Sequence, residues 1–241
     1  MKTTFTSKSM KVLFVLLFAF AFANVNSQTT YYVNDASLVG DVITTAIGDD
    51  LNAGTANAPF ATLTKANSVA VSGDIIIADA GTYQENGFTI KPGVTLSGVC
   101  ASKSIFVVKT SSITVSSNSE LSRFTITRQT NSDVPSISVA TITGGTGMKI
   151  NNCLFLKNRS AIYVNSTTAS NALLVNNNDF DDNRTGMVLV DATFANITIS
   201  NNNLVKSRSF GIIFTSGVSS LSNINISNNN FADNQKLVAL V

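Results

Sequence analysis

The chain has 241 residues, contains no histidine and no tryptophan, and carries 12% charged residues with a formal net charge of +2. Without histidine it cannot supply a Ser-His-Asp or Cys-His nucleophilic site, a histidine-ligated metal or a histidine pH switch. The low charge content and the lack of a basic run argue against a nucleic-acid interface, which needs clustered Lys and Arg.

The first 27 residues have the pattern of a secretory signal peptide. Three lysines precede the apolar run 12–23, which is shorter than the roughly 20 residues that span a bilayer. Cleavage is expected before Gln28, and the mature chain then has 13 basic and 14 acidic residues. The pattern predicts an exported protein, secreted or held at the cell surface, without a membrane span after processing.

Four motifs follow in order between residues 31 and 98: Tyr31-Tyr-Val-Asn34, Gly48-Asp-Asp-Leu-Asn-Ala-Gly-Thr55, Ala58-Pro-Phe-Ala-Thr-Leu63 and Gly73-Asp-Ile-Ile-Ile-Ala-Asp-Ala-Gly-Thr-Tyr83. This stretch resembles the opening of secreted bacterial β-helix proteins of the pectate-lyase-like superfamily. The resemblance implies a strand, a polar loop and a capping helix within residues 28–73. That helix would begin at Pro59 and run to about Val71.

Short runs rich in β-branched residues come next, at 74–78, 88–90, 94–98, 104–108, 113–115 and 124–126. Their length, and the Gly, Asn and Ser between them, are typical of short strands rather than of helices.

The C-terminal part repeats. Four similar segments begin at Ile150, Val175, Ile199 and Ile226, at intervals of 25, 24 and 27 residues, and each is followed by a polar turn and a second apolar run. Strands this short are stable only when successive coils stack in parallel, about 4.8 Å apart. The chain is therefore predicted to be all-β, a right-handed parallel β-helix of roughly six to seven coils over residues 74–241. The chain ends after the second strand of a coil, with no polar cap, so we expect either truncation at the C-terminus or an end covered by another subunit. Truncation is preferred, because nothing else in the sequence indicates an oligomer.

Two repeat positions carry polar residues in consecutive coils. Asparagine recurs as Asn152, Asn177, Asn201 and Asn228, and arginine as Arg159, Arg184 and Arg208. At a sharp corner asparagine tolerates left-handed backbone, and stacked amides form a ladder. We therefore assign the asparagines a structural role. The arginine column is interpreted as a solvated edge in preference to an anion-binding strip.

Members of the resembled superfamily that cleave acidic polysaccharides use an Arg or Lys base with Ca²⁺, or paired aspartates. For a lyase the resemblance implies Arg184 or Arg159 as base, with Asp179, Asp181 and Asp182 as calcium ligands. For a hydrolase it implies Asp181 with Asp182 as the carboxylate pair. The Gly-His-Gly turn of the hydrolase branch is absent, however. Adjacent carboxylates at a turn also point in different directions, whereas glycoside hydrolysis needs them facing each other across a cleft.

A second calcium hypothesis concerns the polar loop. Asp50, Asn52 and Gly54 have the spacing of a calcium loop, but the terminal bidentate glutamate is missing, and an ordinary capping loop is the competing interpretation.

The two cysteines, Cys100 and Cys153, are expected to lie about two coils apart, too far for a disulfide, and therefore to be free and largely buried thiols.

Two functions remain open. The first is a non-catalytic module that binds polysaccharide or a partner, or serves in adhesion, and the second is a polysaccharide lyase or hydrolase. The absence of histidine, the scarcity of carboxylates on consecutive coils and the few candidate aromatic residues for sugar stacking favour the first. No cofactor is expected for this function, and Ca²⁺ is a possible ligand.

Overall fold

The computed structural model describes residues 27–128, 138–142, 145–165, 170–190, 193–215, 218 and 220–240. These contain one helix, α1 (Leu63–Val69), and 23 strands. The strands are β1 (Thr30–Val33), β2 (Ile75–Ala78), β3 (Gly81–Glu85), β4 (Thr95–Gly98), β5 (Ser104–Val108), β6 (Ile113–Thr114), β7 (Glu120–Ser122), β8 (Thr125–Arg128), β9 (Ser138–Ile142), β10 (Gly145–Thr146), β11 (Lys149–Asn151), β12 (Leu154–Leu156), β13 (Ser160–Asn165), β14 (Ser170–Asn171), β15 (Leu174–Asn176), β16 (Asp179–Asp181), β17 (Thr185–Val190), β18 (Thr193–Ser200), β19 (Asn203–Val205), β20 (Phe210–Phe214), β21 (Ser220–Ser227), β22 (Asn230–Ala232) and β23 (Lys236–Leu240).

The strands form three sheets, and every strand pair is parallel. The first sheet has ten strands, and its main column runs β1-β2-β4-β7-β11-β15-β18, with β21 paired to β18. The second stacks seven strands from β3 to β22, and the third six from β6 to β23. Because each turn contributes a strand to each sheet, the fold is a parallel β-helix, as the sequence predicts. From β6 to β23 the chain makes five turns, slightly fewer than the expected six or seven coils.

The interior is filled by columns of apolar side chains that point inward from successive turns. In the first sheet Leu96, Leu121, Ile150, Val175 and Ile199 lie in register and are completely buried. In the second sheet the rings of Phe155 and Phe180 stack with centroids 5.0 Å apart. Burial of such columns is the main stabilising contribution, at about 25 cal/mol per Å² of apolar surface.

The helix that covers one end of the solenoid begins later than the resemblance implies. It starts at Leu63, with Thr62 as N-cap, whose hydroxyl accepts from Lys65 N–H at 3.0 Å. Residues 59–61 are not helical, because Phe60 pairs with the first strand: its N–H donates to Tyr32 at 3.0 Å and its carbonyl accepts from Asn34 at 3.0 Å. This pairing fixes Phe60 in the strand direction, so Pro59 cannot open the helix.

A buried carboxylate fastens the polar loop to this end. Asp79, 1% exposed, accepts from the N–H groups of Val42, Ile43, Thr44 and Ala80 at 2.6–2.8 Å. Burial raises the pKa of Asp79, but the four N–H groups together outweigh it, so the pKa lies below its usual value. The loop is thus held by an ionised side chain.

Both cysteines are free, with Cys153 buried and Cys100 partly exposed. They follow β4 and β11, which are separated in the first sheet by β7, in agreement with the expected two-coil spacing. Burial raises the pKa of Cys153 to about 12, so its thiol is protonated and unreactive at neutral pH.

The last described turn is less buried than those before it. Leu221, Ile226, Leu237 and Val238 of β21 and β23 are 36–54% exposed, whereas the equivalent Ile199 and Ile212 are fully buried. These side chains lack a following turn to cover them in the described residues.

Candidate functional site

The chain turns two corners in each coil on the side where the asparagines recur. At the first corner, between the first and second sheets, Asn152, Asn177, Asn201 and Asn228 have φ of 54° to 55°. This is the left-handed region, which asparagine tolerates better than most residues. The four side chains are exposed.

The buried amide ladder lies one residue further along than the sequence predicts. Asn178, Asn202 and Asn229 follow the left-handed residues and point inward. The Oδ1 atom of Asn178 accepts from Cys153 N–H at 3.0 Å, that of Asn202 from Asn178 N–H at 2.9 Å, and that of Asn229 from Asn202 N–H at 2.9 Å. Each Nδ2 donates back to a carbonyl of the preceding turn. The exposed residues Asn152, Asn177, Asn201 and Asn228 therefore do not form this ladder.

A second buried ladder forms at the corner between the second and third sheets. Asn183 Oδ1 accepts from Asn158 N–H at 2.9 Å, and Asn234 Oδ1 accepts from Ser207 N–H at 2.8 Å. Serine replaces asparagine at position 207, and its buried Oγ has no partner among the described residues. The two ladders are five residues apart in every turn (153 to 158, 178 to 183, 202 to 207 and 229 to 234).

The exposed side of the first corner is a continuous neutral polar surface, which we call the asparagine flank. It consists of residues at the ends of β11, β15 and β21 and the left-handed residues of all four turns: Asn151, Asn152, Asn176, Asn177, Asn201, Ser227 and Asn228. Ser200, at the end of β18, is buried beside them. Neighbouring groups are joined laterally, since Asn176 Oδ1 accepts from Ser200 Oγ at 3.0 Å and from Asn201 Nδ2 at 2.8 Å. The flank is uncharged and spans four turns.

Charges concentrate at the second corner, and their signs alternate there. Its left-handed residues are Lys157, Asp182, Lys206 and Asp233, so each charge has an opposite charge in the next turn. Lys206 Nζ lies 3.2 Å from Asp181 Oδ1, and Arg208 Nε lies 3.7 Å from Asp182 Oδ1. These pairs are largely exposed and therefore stabilise the fold weakly.

The residues implied as catalytic, Arg184, Asp181 and Asp182, all lie at this second corner. Asp181 points outward at the end of β16, Asp182 follows in left-handed conformation, and Arg184 is exposed at the start of the next strand. Arg159 precedes Arg184 by one turn, because Thr185 N–H donates to its carbonyl at 2.9 Å. Both aspartates have a cation from the following turn beside them. The residues are neighbours, but each carboxylate faces its own cation on an open corner.

The remaining calcium candidates, Asp50, Asn52 and Asp179, are divided between distant parts of the chain. Asp50 Oδ1 accepts from the N–H groups of Ala61 and Thr62, and its Oδ2 accepts from the Thr62 hydroxyl. Asn52 Nδ2 donates to the Pro59 carbonyl at 3.0 Å. Asp179 lies on β16 and accepts from Asn203 Nδ2 at 3.1 Å. Within the described ranges, no three acidic or cysteine side chains come together in a way that could hold a metal ion.

Comparison with known proteins gave one family and one solved structure. A family model described as "Protein of unknown function (DUF1565)" matches residues 46–240. No curated protein matches the chain. A solved rhamnogalacturonan lyase superposes with a TM-score of 0.36 at 12% identity, over 84% of this chain and 62% of the lyase, so the chain spans less than two thirds of its length. In the part of the chain that the structure describes, no helix is long and apolar enough to cross a membrane.

Proposed function

The chain belongs to the DUF1565 family of proteins of unknown function, and we propose that it is an exported, non-catalytic β-helix module that binds polysaccharide outside the cytoplasm. A role in adhesion or in the structure of the cell surface would use the same surface. The signal-peptide pattern of residues 1–27 supports export.

The observation that carries this proposal is the asparagine flank. On four successive turns it presents amide and hydroxyl groups at the axial spacing of stacked strands, about 4.8 Å. These groups both donate and accept hydrogen bonds, as the hydroxyls of a sugar polymer require of a partner. The ladders beneath hold the corner in one conformation, so little conformational entropy is lost on binding.

Co-sedimentation with insoluble polysaccharides, together with affinity electrophoresis in soluble ones, tests the proposal. We expect at least one neutral or acidic polysaccharide to retain the full chain. The double variant Asn177→Gly/Asn201→Gly removes two flank amides while glycine keeps the left-handed backbone, and it should weaken retention. Asn223→Gly is the matched control, because Asn223 is an exposed left-handed asparagine outside the flank. Equal loss in both variants would contradict a role of the flank.

The alternative is a polysaccharide lyase that uses Arg184 as base. Incubation of the chain with a panel of uronate polysaccharides and Ca²⁺, followed by absorbance of the unsaturated product, distinguishes the two. We expect no turnover. Product formation that disappears in Arg184→Ala would replace the binding function with a lyase, and loss on removal of Ca²⁺ would show that the metal takes part.

A further inference from the structure

A groove of about 420 Å³ lies at the capped end of the solenoid, between the start of α1 and the first two turns. We call it the cap groove. The residues that matter for its chemistry are Thr64, Gln84, Glu85, Asn86, Phe88 and Lys109. Its volume is in the range of small-molecule sites, about 300–1,000 Å³. It is separate from the asparagine flank, which begins at Asn151.

The walls of the cap groove are held in place by hydrogen bonds and packing. Glu85 accepts from Leu63 N–H at 2.7 Å, from Thr64 N–H at 2.9 Å and from the Thr64 hydroxyl at 2.6 Å. The half-buried ring of Phe88 stacks on buried Phe106 with centroids 6.0 Å apart. Gly87 brings these residues close to the next turn, since a Cβ there would lie 2.3 Å from the Ser111 carbonyl oxygen. A ligand would therefore meet a preformed surface.

Several polar groups of the groove have hydrogen-bond donors or acceptors that remain available to a ligand. Asn86 Oδ1 accepts from Thr110 Oγ1 at 2.8 Å, and across the described residues no protein partner is recorded for its two amide N–H groups. Gln84 is exposed and offers both a donor and an acceptor. Glu85 Oε1 accepts one N–H and keeps a lone pair for a hydroxyl. Donors and acceptors thus surround one aromatic ring.

The charge of the cap groove is balanced. Glu85 contributes one negative charge and exposed Lys109 one positive charge, and neither is in an ion pair among the described residues. An anionic ligand near Lys109 would also face the Glu85 carboxylate, which is fixed by its three donors. A neutral polyol meets no such repulsion, and its hydroxyls match the mixture of donors and acceptors.

We propose that the cap groove binds one neutral pyranose unit. An apolar face of the sugar lies on the ring of Phe88, the amides of Asn86 and Gln84 and the ammonium of Lys109 bond its hydroxyl oxygens, and Glu85 accepts from a hydroxyl. The site goes beyond the binding surface proposed above. It recognises a single sugar unit at one end of the solenoid, whereas the flank contacts a polymer along its length.

Saturation-transfer NMR with the full chain tests this site. The probes are methyl α-glucopyranoside, methyl β-galactopyranoside and methyl α-galacturonate as the free acid. We expect transfer to at least one neutral glycoside, with a dissociation constant in the millimolar range. Asn86→Ala should weaken binding roughly three- to tenfold, as for one lost hydrogen bond. Phe88→Leu keeps an apolar side chain on Phe106 and removes the ring, and it should weaken binding at least as much.

Asn225→Ala is the matched control, because Asn225 is an exposed strand asparagine far along the solenoid on β21. It should leave binding of the glycosides unchanged. Absence of transfer to both neutral glycosides, or an equal effect of Asn225→Ala, would overturn the proposal. Binding of the galacturonate alone, lost in Lys109→Ala, would show an anion site instead. Polymer retention should respond to the flank variants and not to Asn86→Ala, whereas glycoside binding should respond to Asn86→Ala and not to the flank variants. Failure of the flank proposal is therefore distinguishable from failure of the cap-groove proposal.

Discussion

At the scale of single residues, the buried amides of Asn178 and Asn202 in the first ladder each connect three consecutive turns. Asn202 accepts from Asn178 N–H, donates to the Val175 carbonyl at 3.0 Å, and donates to Asn229 Oδ1 at 2.9 Å in the next turn. It is 2% exposed, so water cannot replace these bonds in the folded state. Its contribution to stability is therefore the cost of leaving several backbone and amide groups without partners.

Asn202→Ala should lower the free energy of unfolding by about 3 kcal/mol, because it leaves at least two buried groups unpaired. Urea denaturation followed by circular dichroism measures this. The neighbouring Asn201→Gly removes an exposed amide and keeps the left-handed backbone, so it should change stability by less than about 1 kcal/mol. Equal destabilisation by the two changes would contradict the assignment of the ladder to the inward residue.

Ser207 is the one position of the second ladder, among the described turns from 158 to 234, where the amide is replaced by a hydroxyl without a partner. Ser207→Asn places an amide where Asn183 and Asn234 have theirs, beside the preceding turn. We expect the free energy of unfolding to rise by about 1 kcal/mol, the value of one added hydrogen bond. A fall in the urea midpoint would show that the site is too narrow for the amide. Ser207→Ala, which adds no bond, is the control.

Asp79 makes the stability of the capped end depend on pH. Its pKa is lower in the folded protein than its usual value of about 3.9 in an unfolded chain. Its contribution is therefore fully present above about pH 4 and is lost as the pH falls through the lower folded-state pKa. Asp79→Asn should destabilise the protein by about 2 kcal/mol at pH 7, and the difference from the unsubstituted protein should shrink below pH 4. A difference independent of pH, in urea titrations from pH 7 to pH 2.5, would show that the charge has no part in it.

The sequence identifies the asparagine corners but not the inward residue in each Asn-Asn-Asn run. A repeat position shows only that the same residue type recurs, and both the left-handed residue and the inward residue after it are asparagine in three turns. One signal separates them. In the earliest of the four turns the inward position is Cys153, and cysteine is among the most buried residue types.

At the scale of elements, the segment between the two buried ladders has a fixed length. Five residues separate the ladders in all four turns, whereas hydrogen-bonded partners in successive turns are 25, 24 and 27 residues apart. All variation in turn length therefore falls outside this segment. The reason is geometric, since an extra residue there would move one ladder out of register and turn the inward side chain of β19, Leu204, away from the core.

A single glycine inserted between Leu204 and Val205 should lower the free energy of unfolding on the order of 4 kcal/mol, because it disrupts a core column and a ladder. The same insertion between Val190 and Thr193 lies where turn length varies, and it should cost no more than about 1 kcal/mol. Thermal denaturation of both variants measures the contrast. Similar melting temperatures would show that the five-residue spacing is not a structural requirement.

The strands of the repeat are predictable from sequence because each has an inward apolar residue and a polar corner after it. Two upstream elements are less predictable from the sequence. The run 88–90 forms only a bridge between Thr89 and Thr114, and the helix starts four residues after Pro59. Both depend on contacts with residues more than 20 positions away, such as Glu85 with Leu63 and Tyr32 with Phe60, and local pattern does not contain this information.

At the scale of the whole molecule, stacking decides which sequence-predicted site residues meet. Arg184, Asp181 and Asp182 lie in one short segment between β16 and β17, so they share one corner. Stacking also brings Lys206 and Arg208 beside the two carboxylates, which the motif Asp181-Asp182 alone does not show. The cap groove cannot be predicted from the repeat, because its residues come from α1, β3 and the segments after β3 and β5.

The exposed apolar residues of the final described turn make the two ends of the described solenoid unequal in stability. Each turn contacts only its neighbours, so local opening can proceed one turn after another. Opening from the end with α1 must first break the hydrogen bonds of the Asp79 and Glu85 carboxylates. Opening at β23 exposes little further apolar surface, because Leu237 and Val238 are already largely exposed. For residues 27–240 taken alone, we therefore expect amide exchange to be fastest in β21 to β23 and slower toward the cap. In that order the turns of the asparagine flank would exchange before the turns that hold the cap groove.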